Sequence, residues 1–562
     1  MESGVHCPII AEKIGRNMPA EEQICTRSYA RGPARPLLEL TIGDLLHRTA
    51  ERYPERLAVA SLHQEKRLTW AELSAAADRV ARGLWALGIR RGDRVGLWST
   101  NCVEWIMMHM GCSRAGASLV NVNPAYRSHE LQFTLTRSRM KALFLWHKDK
   151  HADYEEILGR ARHELDLALE HTIYFDSPEW PALLDAEGRL PDHVAIDDVA
   201  NIQYTSGTTG LPKGVMLTHH NVVNNGQFLA QGFHYTEKDK IVVPVPLFHC
   251  YGCVIGTMSA VNSGAAIILP SRTFDARATL KAVHDERATS VYGVPAMYVA
   301  EFGLDDFASY DTTSLRTGMM SGAPCPVELM KRVLEEMHCR ELVIAYGQTE
   351  TSPVVTMSDA ADSIEVRVNT VGRAMPQTEI KIASLENQET LPCGQQGEVC
   401  VRGYALMKGY DGDAEGTAQV IQPDGWLRTG DLGVMRGDGC IHITGRSRDV
   451  IIRGGENIYP REVEEFLYTH PKVGEVQVMG IPNERLGEIV VAWVRLKPGV
   501  AATEDEIKAF CQGQIAYYKI PEHVRFVTEF PATLSGKIQK YKMREFEIEA
   551  RGLQAVAKTA TA

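Results

Sequence analysis

The sequence has no apolar run long enough to cross a bilayer. Its most apolar region, 241–269, is broken by Pro244, Pro246, His249, Asn262 and Gly264, whereas a spanning helix needs about 20 consecutive apolar residues; buried strands and turns are expected there instead. No cleavable leader is expected either. Glu2, Glu12, Glu21 and Glu22 leave no apolar h-region and contradict the acid-poor composition of an organelle presequence, so the chain is expected to stay in the cytoplasm, without an integral membrane segment. Positive charge is in the minority: 60 Lys and Arg against 71 Asp and Glu give −11, which argues against a nucleic-acid partner held by bulk charge but leaves room for a local basic pocket around phosphates. The 12 cysteines, scattered from Cys7 to Cys511, lack the dense spacing of a disulfide scaffold and read as reduced thiols. No internal repeat is evident, and nothing in the sequence fixes self-association, so a homo-oligomer stays open.

What is there is a chain of 562 residues, 44% hydrophobic and 23% charged, too long for a single ordinary core and too apolar for disorder. Residues 1–36, with the run Arg27-Ser-Tyr-Ala-Arg-Gly-Pro-Ala-Arg-Pro36, show neither helical nor alternating periodicity and are expected to form a surface arm. From Leu68 the pattern sharpens. Thr69 with Glu72 makes a capping box, and Leu73, Ala76, Ala77, Val80, Leu84 and Leu87 then recur at helical spacing up to Gly88. Strand-like Val95-Gly-Leu-Trp98, a helical stretch at 105–112, a strand-like run at 117–122, a helix near Leu131 and a strand-like run at 142–146 follow. This alternation predicts an α/β fold, a large multi-subdomain part at 37–447 with mainly parallel sheets flanked by helices. Beyond a boundary near Arg448, Pro460 opens a helix through Val463 and Phe466, and two strand-like runs follow at 473–479 and 489–496. Residues 448–550 are therefore expected to form a small α+β domain, followed by a frayed tail at 551–562.

The most informative segment is Tyr204-Thr-Ser-Gly-Thr-Thr-Gly-Leu-Pro-Lys-Gly214. Gly207 and Gly210 let the backbone wrap an anion, Thr205, Ser206, Thr208 and Thr209 supply hydroxyl donors, and Lys213 supplies a cation. Triphosphate binding is the chemistry implied. It is not the Walker pattern, because Lys213 follows Pro212 and precedes Gly214 where a P-loop has Gly before the lysine and Ser or Thr after it.

Further motifs follow in order: Tyr346-Gly-Gln-Thr-Glu350, Gly425-Trp-Leu-Arg-Thr-Gly-Asp431, Gly445-Arg-Ser-Arg-Asp449 and Leu534-Ser-Gly-Lys-Ile-Gln539. With the hydroxyl-rich loop, this series resembles the adenylate-forming superfamily of acyl-CoA synthetases, firefly luciferases and peptide-synthetase adenylation domains. The resemblance covers nearly all of the chain after the arm. Val122-Asn-Pro-Ala-Tyr126, Phe248-His-Cys-Tyr-Gly252 and Gly322-Ala-Pro324 look most like medium-chain and long-chain fatty acyl-CoA ligases.

The resemblance implies a two-step reaction. A carboxylate attacks the α-phosphorus of ATP and releases pyrophosphate; coenzyme A then attacks the acyl-adenylate. Both steps crowd negative charge, so metal, lysine and backbone dipoles must converge on the phosphates. By the same resemblance Glu350 is the Mg²⁺ ligand, with Thr349 beside it offering a hydroxyl to the α-phosphate and Gly347 and Gln348 shaping the turn. Tyr346 offers its ring to adenine against a small-residue wall of Gly322, Ala323 and Pro324. Asp431 takes the ribose hydroxyls, since a carboxylate accepts from both members of a vicinal diol, and Arg446 adds a donor. Lys537 is the catalytic cation that bridges the acid and ATP. Because it sits in the small domain, that domain is expected to be mobile, rotating between half-reactions about Arg448. Gly454, Gly455 and Glu456 would then face the thiol of coenzyme A, a reading that stands level with a plain hairpin turn.

His249 lies where relatives that activate amino acids tend to carry an Asp after the Phe, and that Asp is missing. A neutral apolar acid is favoured, with His249 as a gate or carboxylate neighbour. Cys250 and Cys253 form a Cys-x-x-Cys without a second pair at zinc spacing and read as pocket-wall thiols; Val254, Met258 and Met320 are further candidate walls. An aryl or branched acid stays open. So do a carrier-protein-loading ligase, an oxidative luciferase relative and a nucleotide sensor that has lost turnover, the last being weakest because Glu350 and Lys537 are both present.

Overall fold

The computed structural model describes residues 26–150, 152–162, 169–191, 193–205, 212–323, 325–453, 456–533 and 538–554, without the side chains of Arg448 and Asn457. Two seven-stranded sheets dominate. In the first, Val199–Thr205, Ser118–Val122, Arg94–Trp98, Ala142–Leu145 and His171–Tyr174 run parallel in that order, and Lys213–Thr218 and Gly409–Tyr410 extend one edge antiparallel. In the second, Glu341–Val343, Thr317–Met320, Ser290–Gly293, Lys240–Val242, Ala266–Leu269 and Leu57–Ser61 are parallel, and Lys66–Thr69 closes the other edge antiparallel.

Thr69 caps the helix Trp70–Ala86: its hydroxyl accepts from the Glu72 N–H, and Glu72 answers onto the Thr69 N–H. Val103–Ala115 is buried on every face except Arg114. An all-round buried helix belongs between layers, and one apolar core accordingly joins its side chains to Val95 and Leu119 of the first sheet and Val59 and Ile267 of the second.

A third, wholly antiparallel sheet of Tyr29–Arg31, Thr378–Ala383, Gln396–Gly403, Leu427–Met435 and Ile441–Arg446 adjoins them. Its outermost strand comes from the expected arm. Three residues are too few to show alternation, and their pairing to Thr378–Ala383 is long-range, which is why the strand is absent from the sequence reading. Toward the C-terminus, Ile451–Arg453, Glu456–Ile458, Val473–Asn483, Gly487–Leu496 and His523–Phe526 form a mostly antiparallel sheet with its own apolar core, packed by the helices Pro460–Tyr468 and Glu504–Cys511. The tail expected to fray lies outside the described residues beyond 554.

One expectation is corrected. Between Lys240–Val242 and Ala266–Leu269 the chain is not strands and turns throughout: Tyr251–Met258 forms a π-helix continued by the α-helix Ser259–Ser263. Every residue of Tyr251–Met258 is buried, so the segment has no polar face and hence no 3.6-residue signature to read. No described helix is long and apolar enough to cross a membrane.

Burial also sets an acid limit on stability. His109, against the Trp105 ring at 5.5 Å with Nδ1 unpartnered, and His219, whose Nδ1 accepts from the Ile42 N–H at 3.2 Å, are both pushed down to about 4 by desolvation. Above the unfolded value near 6.5 both states are neutral. As pH falls from there toward 4, the unfolded chain takes up protons that the folded one refuses, and each histidine steepens the loss by about 1.4 kcal/mol per pH unit. The thermal midpoint should therefore drop steadily from pH 6.5 to pH 4. His109→Leu should flatten that limb in calorimetry, and an unchanged slope would refute the assignment.

Candidate active site

The ends of the hydroxyl-rich loop are fixed by strand pairing. Thr205 and Lys213 lie opposite each other on antiparallel neighbours, so the loop joins strand to strand, unlike the strand-to-helix turn of a P-loop. Ser206, Gly207, Thr208, Thr209 and Gly210 lie outside the described residues. Lys213 Nζ stands 4.6 Å over the Tyr410 ring, and the Tyr410 hydroxyl donates to Glu350 Oε1 at 2.9 Å. Burial and the Glu350 charge both push the Tyr410 hydroxyl upward, so it stays a donor. Loop cation, aromatic ring and candidate metal carboxylate thus form one row. Tyr410 is absent from the sequence reading because only packing brings it to a residue 60 positions away.

Glu350 sits in the short turn Thr349–Thr351, where the Thr351 hydroxyl accepts from the Gln348 N–H at 3.1 Å. A Cβ on Gly347 would lie 1.8 Å from the Pro353 carbonyl oxygen, so that position admits only glycine. Thr349 is buried, and its Oγ1 lies 3.7 Å from Cys250 Sγ. That contact brings the turn against the segment carrying His249. His249 Nδ1 accepts from the Tyr251 N–H at 3.2 Å, so a proton on this ring belongs on Nε2. Desolvation pushes the Cys250 thiol up to about 12 and the Cys253 thiol higher still, so both stay protonated.

Asp431 and Arg446 face each other across the antiparallel sheet, Arg446 Nε 3.1 Å from Asp431 Oδ1. The Tyr346 hydroxyl donates to Oδ2 at 2.7 Å, and burial, then the Asp431 charge, holds that hydroxyl well above its usual range. Tyr346 therefore meets Asp431 through its hydroxyl. Gly322, at φ +89°, and Ala323 are exposed just beyond the strand Thr317–Met320. Ser321 ties that strand end to the short strand Ala345–Gly347, which forms a small antiparallel sheet with Val354–Met357 and Arg373–Ala374: its hydroxyl donates to the Ala345 carbonyl at 3.0 Å and accepts from the Ala345 N–H at 2.9 Å. Pro324, Gly454, Gly455 and Lys537 lie outside the described residues. The strands flanking the two glycines pair Arg453 with Glu456, and no described contact joins Glu456 to the rest of the site.

Residues 46–411 match the AMP-binding enzyme family, and residues 462–537 match the AMP-binding enzyme C-terminal domain. The chain belongs to the AMP-binding enzymes. It is 45% identical over 545 residues to YngI of Bacillus subtilis (strain 168), covering 92% of this chain and 99% of that one. It is 40% identical over 539 residues to the mouse mitochondrial medium-chain acyl-CoA ligase ACSF2, covering 91% and 88%. Among solved structures, ATP-bound MatB from Rhodopseudomonas palustris superposes with a TM-score of 0.81 at 28% identity over 90% of this chain and 99% of that one. The family resemblance read from the ordered motifs is thereby confirmed, and the reaction class is that of an AMP-forming acid–thiol ligase acting with ATP, Mg²⁺ and coenzyme A. No cluster of three or more metal-ligating side chains exists among the described residues. A single carboxylate at Glu350 suits Mg²⁺, which prefers one or two carboxylates with substrate phosphate and water.

Tyr346→Phe deletes one hydrogen bond to a buried carboxylate, worth about 1.5–3 kcal/mol. It should raise the KM for ATP roughly tenfold with the circular-dichroism spectrum intact; an unchanged KM would separate Tyr346 and Asp431 from the nucleotide.

Proposed function

We propose that this ligase activates a medium-chain fatty acid. The acid and ATP give an acyl-adenylate and pyrophosphate, and coenzyme A then takes the acyl group and releases AMP. The observation that carries the nucleotide half is the row Lys213–Tyr410–Glu350 running from the end of the hydroxyl-rich loop to the turn that holds Thr349. On this reading Thr205, Ser206, Gly207, Thr208, Thr209, Gly210 and Lys213 hold the phosphates, and Asp431, braced by Arg446 and Tyr346, holds the ribose. Gly322, Ala323 and Pro324 border the adenine, with Gly347 and Gln348 completing the turn. Bound at Glu350 and the phosphates, Mg²⁺ would neutralise charge on the departing pyrophosphate. His249, its proton on Nε2, borders the acid, and Lys537 draws the carboxylate onto the α-phosphorus. The medium-chain preference is supported by the ACSF2 relatives and by the wholly buried, apolar Tyr251–Met258. The buried thiols of Cys102, Cys112, Cys250, Cys253, Cys339 and Cys511 form no disulfide, which supports a reducing cytoplasm. Arg448 serves as the hinge near which a large part, 37–447, gives way to the small domain, 448–550, and Gly454, Gly455 and Glu456 meet the thiol after rotation.

With ATP, Mg²⁺ and acids from butyrate to palmitate, pyrophosphate release should peak at octanoate or decanoate and yield a thioester once coenzyme A is added. Pyrophosphate without thioester would overturn the ligase reading in favour of carrier loading, and a peak on aryl acids would overturn the fatty-acid reading. Lys537→Ala should lower adenylation by about 10²–10³ while thioester formation from preformed acyl-adenylate survives; equal loss in both half-reactions would remove Lys537 from the chemistry.

A further inference from the structure

The backbone that leads into His249 is gripped by side-chain amides rather than by another strand. Asn101, just past the strand Arg94–Trp98, donates through Nδ2 to the Val245 carbonyl at 3.0 Å and accepts at Oδ1 from the Leu247 N–H at 2.8 Å. Asn121, in the neighbouring strand Ser118–Val122, donates through Nδ2 to the Phe248 carbonyl at 2.8 Å. Phe248 immediately precedes His249.

Asn121 is itself held from behind. Its Oδ1 accepts from Asn201 Nδ2 at 2.8 Å, and Asn201 Oδ1 accepts from Gln203 Nε2 at 2.7 Å. The remaining hydrogen on Gln203 Nε2 points to Cys253 Sγ at 3.3 Å, and that of Asn201 Nδ2 to the Leu119 carbonyl at 3.0 Å. The result is a directed chain, Gln203 to Asn201 to Asn121 to the Phe248 carbonyl, in which each amide donates to the next. Asn121, Asn201 and Gln203 are 3%, 1% and 3% exposed. In so dry a place each bond is worth more than in water, and each lost partner leaves a buried polar group unsatisfied. Gln203 stands two residues before Thr205, where the phosphate loop begins.

We propose that Asn121 and Gln203 are positioning residues for acid activation: they fix the Phe248 carbonyl, and through it the placement of His249, relative to the strand that carries the phosphate loop. This rests on the reading of His249 as a neighbour of the acid. The chain touches no reacting atom. It sets the angle at which the histidine segment meets the turn of Thr349, and its donors go to the Phe248 and Leu119 carbonyls, to Cys253 Sγ and to one another. Losing it should therefore weaken use of the acid and spare the affinity for ATP.

The test uses the full-length enzyme in ATP–pyrophosphate exchange with octanoate. Asn121→Leu removes the donor at similar volume and should lower kcat/KM for octanoate at least tenfold, with the KM for ATP within twofold of wild type. Asn121→Asp is informative because a protonated carboxyl can replace the missing donor while its other oxygen still accepts from Asn201, whereas a carboxylate cannot. Its kcat/KM for octanoate should recover toward wild type as pH is lowered from 8 to 6, a trend that Asn121→Leu lacks. Gln203→Met, a conservative apolar variant, should show the same octanoate defect more weakly. Should Asn121→Leu raise the KM for ATP as much as it lowers octanoate use, or should Asn121→Asp follow Asn121→Leu across pH, the positioning role is wrong. If wild-type enzyme yields no exchange with any acid, the functional reading has failed and not the amide chain; if wild type exchanges and the variants match it, the amide chain has failed alone.

Discussion

A carboxylate almost withdrawn from water is the constraint around which the nucleotide side is arranged. Asp431 is 6% exposed, and a buried charge is tolerated only when its lone pairs are taken up. Arg446 opposite it and the Tyr346 hydroxyl meet that need from two different sheets. The antiparallel sheet that carries Asp431 is thereby locked to the strand next to the Thr349–Thr351 turn, and the turn in turn presents Glu350 to Tyr410. Each grip is local, yet together they tie three sheets to one another.

The two parallel sheets bring several candidate site residues to the same ends of their strands. In doubly wound folds ligands sit beyond the carboxyl ends of the strands, and here Thr205 ends one strand, Ser321 to Ala323 follow another, and Asn101 follows a third. The helix Val103–Ala115, buried between the layers, joins the sheets into a single core. A strand end moving in one sheet would have to carry the other with it, since close-packed interiors transmit displacement.

How much of this was legible in the sequence depends on whether the signal was local. The capping box at Thr69 and Glu72 and the helix behind it are written in adjacent residues, and the structure has both. The hydroxyl-rich loop was likewise visible as a string of small and hydroxylated residues, with Thr205 and Lys213 ending up face to face. Long-range contacts were not visible. Nothing in the sequence marks Tyr410 as the partner of Glu350, or Asn121 and Gln203 as members of one hydrogen-bonded chain, because isolated amides and a single aromatic carry no period. Asp431 and Arg446 were picked out only as companions of other motifs; their direct pairing follows from strand register, which spacing alone does not give. The Tyr251–Met258 helix was hidden for the opposite reason, since uniform burial erases the pattern by which helices are recognised.

That helix has an evolutionary corollary. A π-turn contains one residue more than an α-turn, so the loss of a single residue within Tyr251–Met258 can be absorbed by tightening that turn, which leaves the helix Ser259–Ser263 beyond it in its present orientation. Gly252 leaves little slack at its start, because a Cβ there would sit 2.3 Å from the Pro246 carbonyl oxygen. A one-residue change in chain length can thus be taken up inside this buried segment, away from the strand Ala266–Leu269 that follows it.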